Sequence, residues 1–433
     1  MIYTATVNLW GREIGAVSWD IGKQCAFFEY VEKFRRSGIQ ISPLKMPLSE
    51  TIYSFPELSR ETFNGLPGLL ADSLPDKFGN ALIDAWLATQ NRKPESFHPV
   101  ERLCYIGKRG MGALEFEPSV GLKNSKSKHL DVDALVSLAS KILTQRENFS
   151  TNLSDAESEA MKDILRVGTS AGGARAKALI AWNSKTNEVK SGQIYAGPGF
   201  SYWLLKFDGV SNNKDHELAD PKGFGLIEYA YYLMAIDAGI DMTECRIYEE
   251  NDRHHFMTKR FDRKDDGGKL HMQSLCALAH FDFNRPDLYS YEQALQVILQ
   301  LSLGAQSAEQ QFRRACFNIV ARNQDDHVKN IAFLMNKKGE WSLSPAFDVS
   351  YSYNPGGFWT AQHQMSMNGK RDKFKIEDFT ACGEKALLRK AKALEILEEV
   401  MTSVGKWEKF AESAHVPEKT MLKIKKTHRF FSP

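Results

Sequence analysis

Two residues in the segment RNQDDHVKN (322–330) carry the sharpest chemical suggestion in the chain: Asp325 and Asn330, five positions apart. A carboxylate there can take a proton from an attacking hydroxyl, and an amide oxygen five residues on can bind a divalent cation. That D-x-x-x-x-N separation serves both tasks in the catalytic loop of protein kinases, where a hydroxyl attacks the terminal phosphate of ATP. Lys329 could sit on the transferred phosphate, and His327 reads as a packing residue that holds the loop. A second carboxylate follows in PAFDVS (345–350). Asp348 there lies just beyond an apparent hairpin, IAFLM and EWSLS around the turn NKKGE, where a phosphoryl-transfer site needs its main metal-binding aspartate.

Upstream residues fit the same chemistry. Lys206 lies inside the apolar strand YWLLKF, where a charge calls for a partner. Glu228, 22 residues on and near the start of the next helix, can supply one. One hairpin earlier comes GTSAGGARAK (168–177), whose small residues Ser170, Ala171, Gly172 and Gly173 let backbone N–H groups approach phosphate. It is neither G-x-G-x-x-G nor a Walker A loop.

The elements that must position these residues can be read from periodicity. Residues 1–35 read as short strands, and 68–90 as a loop and then a helix starting near Asp76, with Phe78, Leu82, Ile83 and Trp86 at helical spacing. Residues 101–118 read as a glycine-broken segment leading into a strand. Two helices follow in 130–165, then strands to 210 and a helix over 224–239. Two strands meet at Asn251–Asp252, two helices fill 290–321, and more helix follows from 383 on. Without regular βαβ alternation a doubly wound sheet is disfavoured. The expected class is α+β: a two-lobed protein-kinase-like fold with an α/β N-lobe and an all-helical C-lobe containing the catalytic loop. The expected divisions are a β-rich part (1–125), a nucleotide-binding part (126–250) and a mostly helical lobe (251–433).

Composition narrows the setting. A length of 433 residues calls for more than one core. The net charge of +2 gives no whole-chain attraction to nucleic acid. The six cysteines form no CxxC pair and read as reduced, buried thiols. Neither a signal peptide nor an eighteen-residue apolar span is expected, which points to the cytoplasm and no membrane partner.

Several blocks in one order resemble a known family, the HipA-type toxin kinases of bacterial toxin–antitoxin pairs. They are GLLADSLPDKFGN (68–80), ERLCYIGKRGMGAL (101–114), SAGGARAK (170–177), WLLKF (203–207), TKRFDR (258–263), DDHVKN (325–330), PAFDV (345–349) and HQMSMNGK (363–370). The resemblance implies an ATP- and Mg2+-dependent serine/threonine protein kinase. It implies Asp325 as base, Asn330 and Asp348 as metal ligands, and Lys206 as the nucleotide-phosphate lysine. His327 matches the histidine of the family's loop and joins the nucleotide-binding set with Ser170–Gly173 and Glu228. Ser170 matches an autophosphorylated loop serine, with Thr169 beside it as a neighbouring acceptor. The H-R-D of other protein kinases is replaced by Arg322-Asn323-Gln324, as in the family, and Asp326 stands where the family often has glycine.

The same resemblance implies a small helix-turn-helix antitoxin (HipB-like) as partner, operator DNA reached through that complex, and an aminoacyl-tRNA synthetase as protein substrate. Two alternatives stay open from the residues: a small-molecule kinase of similar fold, and a degenerate kinase acting as co-repressor. The runs KRFDR (259–263) and KIKKTHR (423–429) read as salt-bridged structure and as a solvated last helix, and are the basic stretches that could otherwise reach DNA.

Overall fold

The computed structural model describes residues 1–120, 127–144, 155–169, 175–210, 214–215, 218–219 and 222–432. By internal contacts the chain divides into two units. The first is Met1–Lys222, Tyr248–Gln273 and Leu334–Glu340; the second is Gly223–Ile247, Ser274–Phe333 and Trp341–Pro433.

The first unit opens on an antiparallel sheet, β1 (Thr4–Leu9), β2 (Arg12–Asp20) and β3 (Cys25–Tyr30), with β4 (Leu114–Glu117) added beside β1 to give the order β3-β2-β1-β4. Alternation sets its inner face: Ala5, Val7 and Leu9 are buried on β1 and face-matched to Phe116 through the Val7–Phe116 register. Trp10 and Gly11, both with positive φ (51° and 74°), make the β1–β2 turn that such a hairpin favours. Gly15 is where the backbones come closest: a Cβ there would lie 2.3 Å from the Glu29 carbonyl oxygen.

Short helices α1 (Glu32–Arg35), α2 (Arg60–Phe63) and α3 (Gly68–Ala71) lead into α4 (Lys77–Thr89) and α5 (Pro99–Ile106). The helix α4 begins right after Asp76 and buries Phe78, Leu82 and Ile83 at the expected spacing, whereas Trp86 is only partly buried. The helix α5 differs from the glycine-broken segment read at 101–118. Pro99 starts it in the first turn, His98 accepts the Glu101 N–H at 3.4 Å, and Gly107 (φ 58°) ends it.

The rest of this unit is built on a second sheet. Helices α6 (Val132–Thr144) and α7 (Asp155–Gly168) pack with α4 on β5 (Lys177–Asn183), β6 (Glu188–Ser191) and β7 (Ser201–Lys206), burying Leu135, Ile142, Ile164, Ala178, Trp203 and Leu205 in one core. A two-residue pair, β8 (Lys214–Asp215) with β9 (Leu218–Ala219), follows. The strands β10 (Cys245–Glu250) and β11 (Arg253–Lys259) complete the order β10-β11-β7-β5-β6, joined at Asn251 and Asp252, whose φ values of 47° and 58° fit the hairpin turn. Just past β11, KRFDR forms a buried cluster. The Asp262 carboxylate accepts from Arg260 Nε (2.9 Å) and Nη2 (2.8 Å), Arg263 Nη1 (2.7 Å) and Gly112 N (2.8 Å). Burial alone would raise its pKa; the two guanidinium groups and the Gly112 N–H outweigh that and lower it. These arginines are therefore internal ties.

The second unit is helical apart from a small β portion. The helix α8 (Phe224–Asp237), which the sequence groups with residues 126–250, packs here, as do α9 (Leu275–Ala279), α10 (Tyr291–Gln300) and α11 (Gly304–Val320). A reciprocal box between Ser290 and Gln293 starts α10. The strands β12 (His271–Ser274) and β13 (Ala332–Met335) carry the chain across the division, and β14 (Trp341–Leu343) follows the turn whose Gly339 N–H donates to Asn336 at 3.0 Å. The unit ends with α12 (Ile376–Lys385), α13 (Lys390–Gly405), α14 (Trp407–Ser413) and α15 (Glu418–Lys425). Phe312, Phe317, Ile396, Val400 and Trp407 are among its most buried side chains. All six cysteines of the chain are free and buried. Among the described residues no helix is long and apolar enough to cross a membrane.

Candidate active site

In the second unit, α11 delivers its last turn to a loop that must stop the helix and present Asp325. Arg322 does this in the left-handed region (φ 60°), with its guanidinium over the Tyr353 ring at 4.2 Å and its Nη1 donating to Gln324 Oε1 at 3.0 Å. A non-glycine residue held at positive φ stores strain that its surroundings must offset. Here the stacking and the hydrogen bonds do so.

The loop separates its two neighbouring carboxylates. The Asp325 side chain keeps 18% of its surface open and takes a hydrogen bond from Gln364 Nε2. The Asp326 side chain is wholly buried. Its Oδ2 accepts from the Tyr291 hydroxyl and from His363 Nδ1 (2.8 Å), and its Oδ1 from Gln364 N (2.7 Å). Burial pushes the Asp326 carboxyl up, but these donors outweigh burial and hold its pKa below the ordinary value. The His363 pKa is lowered, first by burial and then by the Arg429 and Arg322 guanidinium groups, against the pull of Asp326. With three donors on it and no exposed side-chain surface, Asp326 is closed to solvent, and the open carboxylate is Asp325.

Asn330 comes back to the same loop. Its Nδ2 donates to the Asp325 carbonyl at 2.9 Å, which turns the amide oxygen the other way. Asn330 and Asp348 line one cavity of about 30 Å3, together with Asp326, His327 and Asn323. Asp348 sits at φ 56°, a second non-glycine residue in the left-handed region. His327 Nε2 is 3.9 Å from Asp325 Oδ1, and its ring packs edge-on to Phe283 at 5.5 Å between centroids. Lys329 holds its ammonium 4.8 Å from the centre of the same Phe283 ring. Glu228 is buried on α8 in this unit.

Among the described residues no group of three or more His, Cys, Asp and Glu side chains could hold a metal. The donors do fit magnesium, which takes one or two protein oxygens and fills its other positions with water and phosphate. An amide oxygen and a carboxylate on one small cavity are such a set.

Lys206 belongs to the first unit. Lys206 ends β7 with its ammonium 5.7 Å from the centre of the Phe256 ring and only 9% of its surface exposed. The register pairs it with Lys177 on β5, also buried. Two cationic side chains thus share one strand pair. Lys177 closes the GTSAGGARAK block, where the sequence assigns it no role; its burial comes from the strand pairing. Ser170, Ala171, Gly172 and Gly173 lie outside the described residues. Thr169 lies within them: it is buried and its hydroxyl donates to the Leu165 carbonyl at 2.8 Å.

Comparison with known proteins places this arrangement. The HipA N-terminal domain model matches residues 5–117, and the HipA-like C-terminal domain model matches residues 169–407. The latter covers more than half of the chain: the protein belongs to the HipA-like family. Among solved structures it is similar to a HipA chain of Shewanella oneidensis MR-1, in a toxin–antitoxin complex with HipB and operator DNA. The TM-score is 0.65 at 17% identity, over 98% of this chain and 95% of that one, which shows a shared fold. The Helicobacter pylori proinflammatory kinase CtkA matches 57% of this chain and 94% of its own at 12% identity, with a TM-score of 0.35. No curated protein sequence matches.

Proposed function

We propose that the chain is a serine/threonine protein kinase that uses ATP and Mg2+, with Asp325 as the base. The supporting observation is the division of labour between adjacent carboxylates: Asp326 is buried and fully engaged, while Asp325 stays partly open, held by Gln364 and the Asn330 amide. Asp325 accepts the proton of the acceptor hydroxyl as its oxygen attacks the terminal phosphorus, and the bond from that phosphorus to the bridging oxygen breaks so that ADP leaves. Lys206 and Lys177 bind nucleotide phosphates, Glu228 belongs to the proposed nucleotide-binding set, and His327 braces the loop. Asn330 and Asp348 would hold magnesium, which supplies charge neutralisation on the phosphate oxygens. Lys329 bears on the transferred group.

Ser170 is the proposed autophosphorylation site. The Thr169 hydroxyl beside it is buried on the helix end, which favours Ser170 as acceptor. Phosphate there would repel the nucleotide's own phosphates. By similarity to the HipA–HipB–operator complex, the partners are a small helix-turn-helix antitoxin and, through it, operator DNA. The protein substrate that the resemblance implies is an aminoacyl-tRNA synthetase. The arginines of KRFDR are internal ties, which supports DNA contact through the partner.

The test is transfer from γ-labelled ATP. Label should enter protein, including this chain at Ser170 by mass spectrometry, and Asp325→Asn should reduce transfer by roughly 100-fold or more, the usual scale for a lost general base. Label entering only small solutes, or an Asp325→Asn chain working at the parent rate, rejects the reading.

A further inference from the structure

The segment Thr427–Arg429, which follows α15, runs beneath the loop that carries Asp325. Arg322 Nε donates to the Thr427 carbonyl at 2.7 Å, and Arg429 N donates to the carbonyl of Val320, the last residue of α11, at 2.9 Å. The Arg429 guanidinium lies 3.0 Å from His363 Nε2 and pairs with Asp372 on its other side. His363 Nδ1 is 2.8 Å from Asp326 Oδ2. The next residue, Gln364, joins both carboxylates: its N–H donates to Asp326 and its side-chain amide to Asp325. An unbroken line of hydrogen bonds thus runs from Arg429 to Asp325, all within the second unit.

We infer that Arg429 is a positioning residue for the proposed base: it fixes His363 as the neutral Nδ1–H tautomer, which keeps Gln364 on Asp325. The inference rests on the reading of Asp325 as base.

The chemistry allows one state. A guanidinium only donates, so the imidazole nitrogen facing it must present a lone pair. The ring proton then belongs on Nδ1, where Asp326 accepts it. The other tautomer would set N–H against N–H at Arg429 and a lone pair against a carboxylate at Asp326. The imidazolium would put two cations 3.0 Å apart. The groups facing the ring are Asp326, Arg429 and Arg322, with Tyr291 on the far side of Asp326, Asp372 beyond Arg429, and the Phe374 ring edge-on at 5.5 Å; Arg371 Nε donates to the His363 carbonyl. Take away the Arg429 charge and only burial and Arg322 oppose the pull of Asp326. A proton gained by the ring would then need a new partner at Nε2, and the His363–Gln364 segment would shift with it.

Histidine-selective 15N NMR on the full chain reads the ring state directly, with His363 assigned through His363→Gln. In the parent, His363 should stay a neutral Nδ1–H imidazole from pH 5.5 to 8. In Arg429→Gln it should titrate in that window. Transfer by this variant should lose kcat by roughly 10- to 100-fold, the scale of a small misplacement of a reacting group, with KM for ATP unchanged and a loss that deepens as pH falls. Arg429→Lys, a cation that also only donates, should restore both the tautomer and most of kcat. The inference is overturned if His363 in the parent is Nε2–H or charged at pH 7, a result that needs no variant to fold. It is equally overturned if Arg429→Gln leaves the ring state unaltered, or alters it with kcat unmoved. A failure of the base itself is a separate result, seen as an Asp325→Asn chain that works at the parent rate, while the NMR still decides what Arg429 does to His363.

Discussion

Adjacent aspartates with opposite duties should respond oppositely to one and the same substitution. Asp326→Asn keeps the size of the side chain and one acceptor oxygen, enough for the Gln364 N–H. Its new NH2 then faces the Tyr291 hydroxyl and His363 Nδ1–H, which both lose a charged acceptor in a fully buried setting. A hydrogen bond to a charged group contributes about 1.5–3 kcal/mol, so two lost bonds cost about 3–6 kcal/mol. Escape routes are few. The ring cannot switch tautomer without opposing Arg429, and the Tyr291 oxygen already takes the Asn318 amide at 3.1 Å. At Asp325 the same change leaves an oxygen for Gln364 Nε2 on a part-exposed side chain, so stability should move by no more than about 0.5 kcal/mol, as for substitutions away from buried networks. Because the chain has two units, local stability is best read by hydrogen exchange in peptides from α10 and α11, which belong to the second unit alone. Protection there should collapse in Asp326→Asn and persist in Asp325→Asn, while phosphate transfer is lost in both. Parent-like protection in Asp326→Asn, or a collapse caused by Asp325→Asn, would refute the assignment of a structural and a chemical carboxylate.

Three further outcomes follow from the same structure. Asp348→Ala should abolish magnesium-dependent nucleotide binding by calorimetry while circular dichroism stays parent-like; unchanged magnesium dependence would remove it from the metal set. Burial lowers the pKa of His255 and His428 to about 4 and of His271 to about 3. Their unfolded forms bind protons first, so stability is complete above about pH 6.5 and falls as pH drops toward 4, by up to about 1.4 kcal/mol per pH unit for each histidine; a melting temperature flat from pH 7 to 4.5 would contradict this. Gly15→Ala should destabilise the first sheet by about 1–3 kcal/mol, since the Glu29 carbonyl is backbone and cannot rotate away; parent-like exchange in the β2 and β3 amides would show that the strands tolerate the methyl group.

What the sequence made legible is the part with local causes. Asp325, Asn330 and Asp348 could be proposed because a fixed separation on a short loop and a hairpin is itself a geometric statement; the structure brings Asn330 back to the Asp325 carbonyl. The helix α4 was legible because four apolar positions repeat at one period. The helix α5 was not, since its start depends on a proline and a histidine cap and its glycines suggested a loop. Long-range chemistry left no such trace. Asp326 looked like a replacement for glycine, yet it is a buried hub whose partners come from positions 291, 363 and 364. Arg429 sat in a basic run that reads as a solvated helix face, and only the path of the chain after α15 turns it inward to His363. Charge in a sequence says nothing about which cation will be desolvated. Burial decides that, and burial is a property of packing among residues that lie scores of positions apart. The residues proposed to do chemistry are spaced along the chain, but those that hold them in place are assembled by the fold.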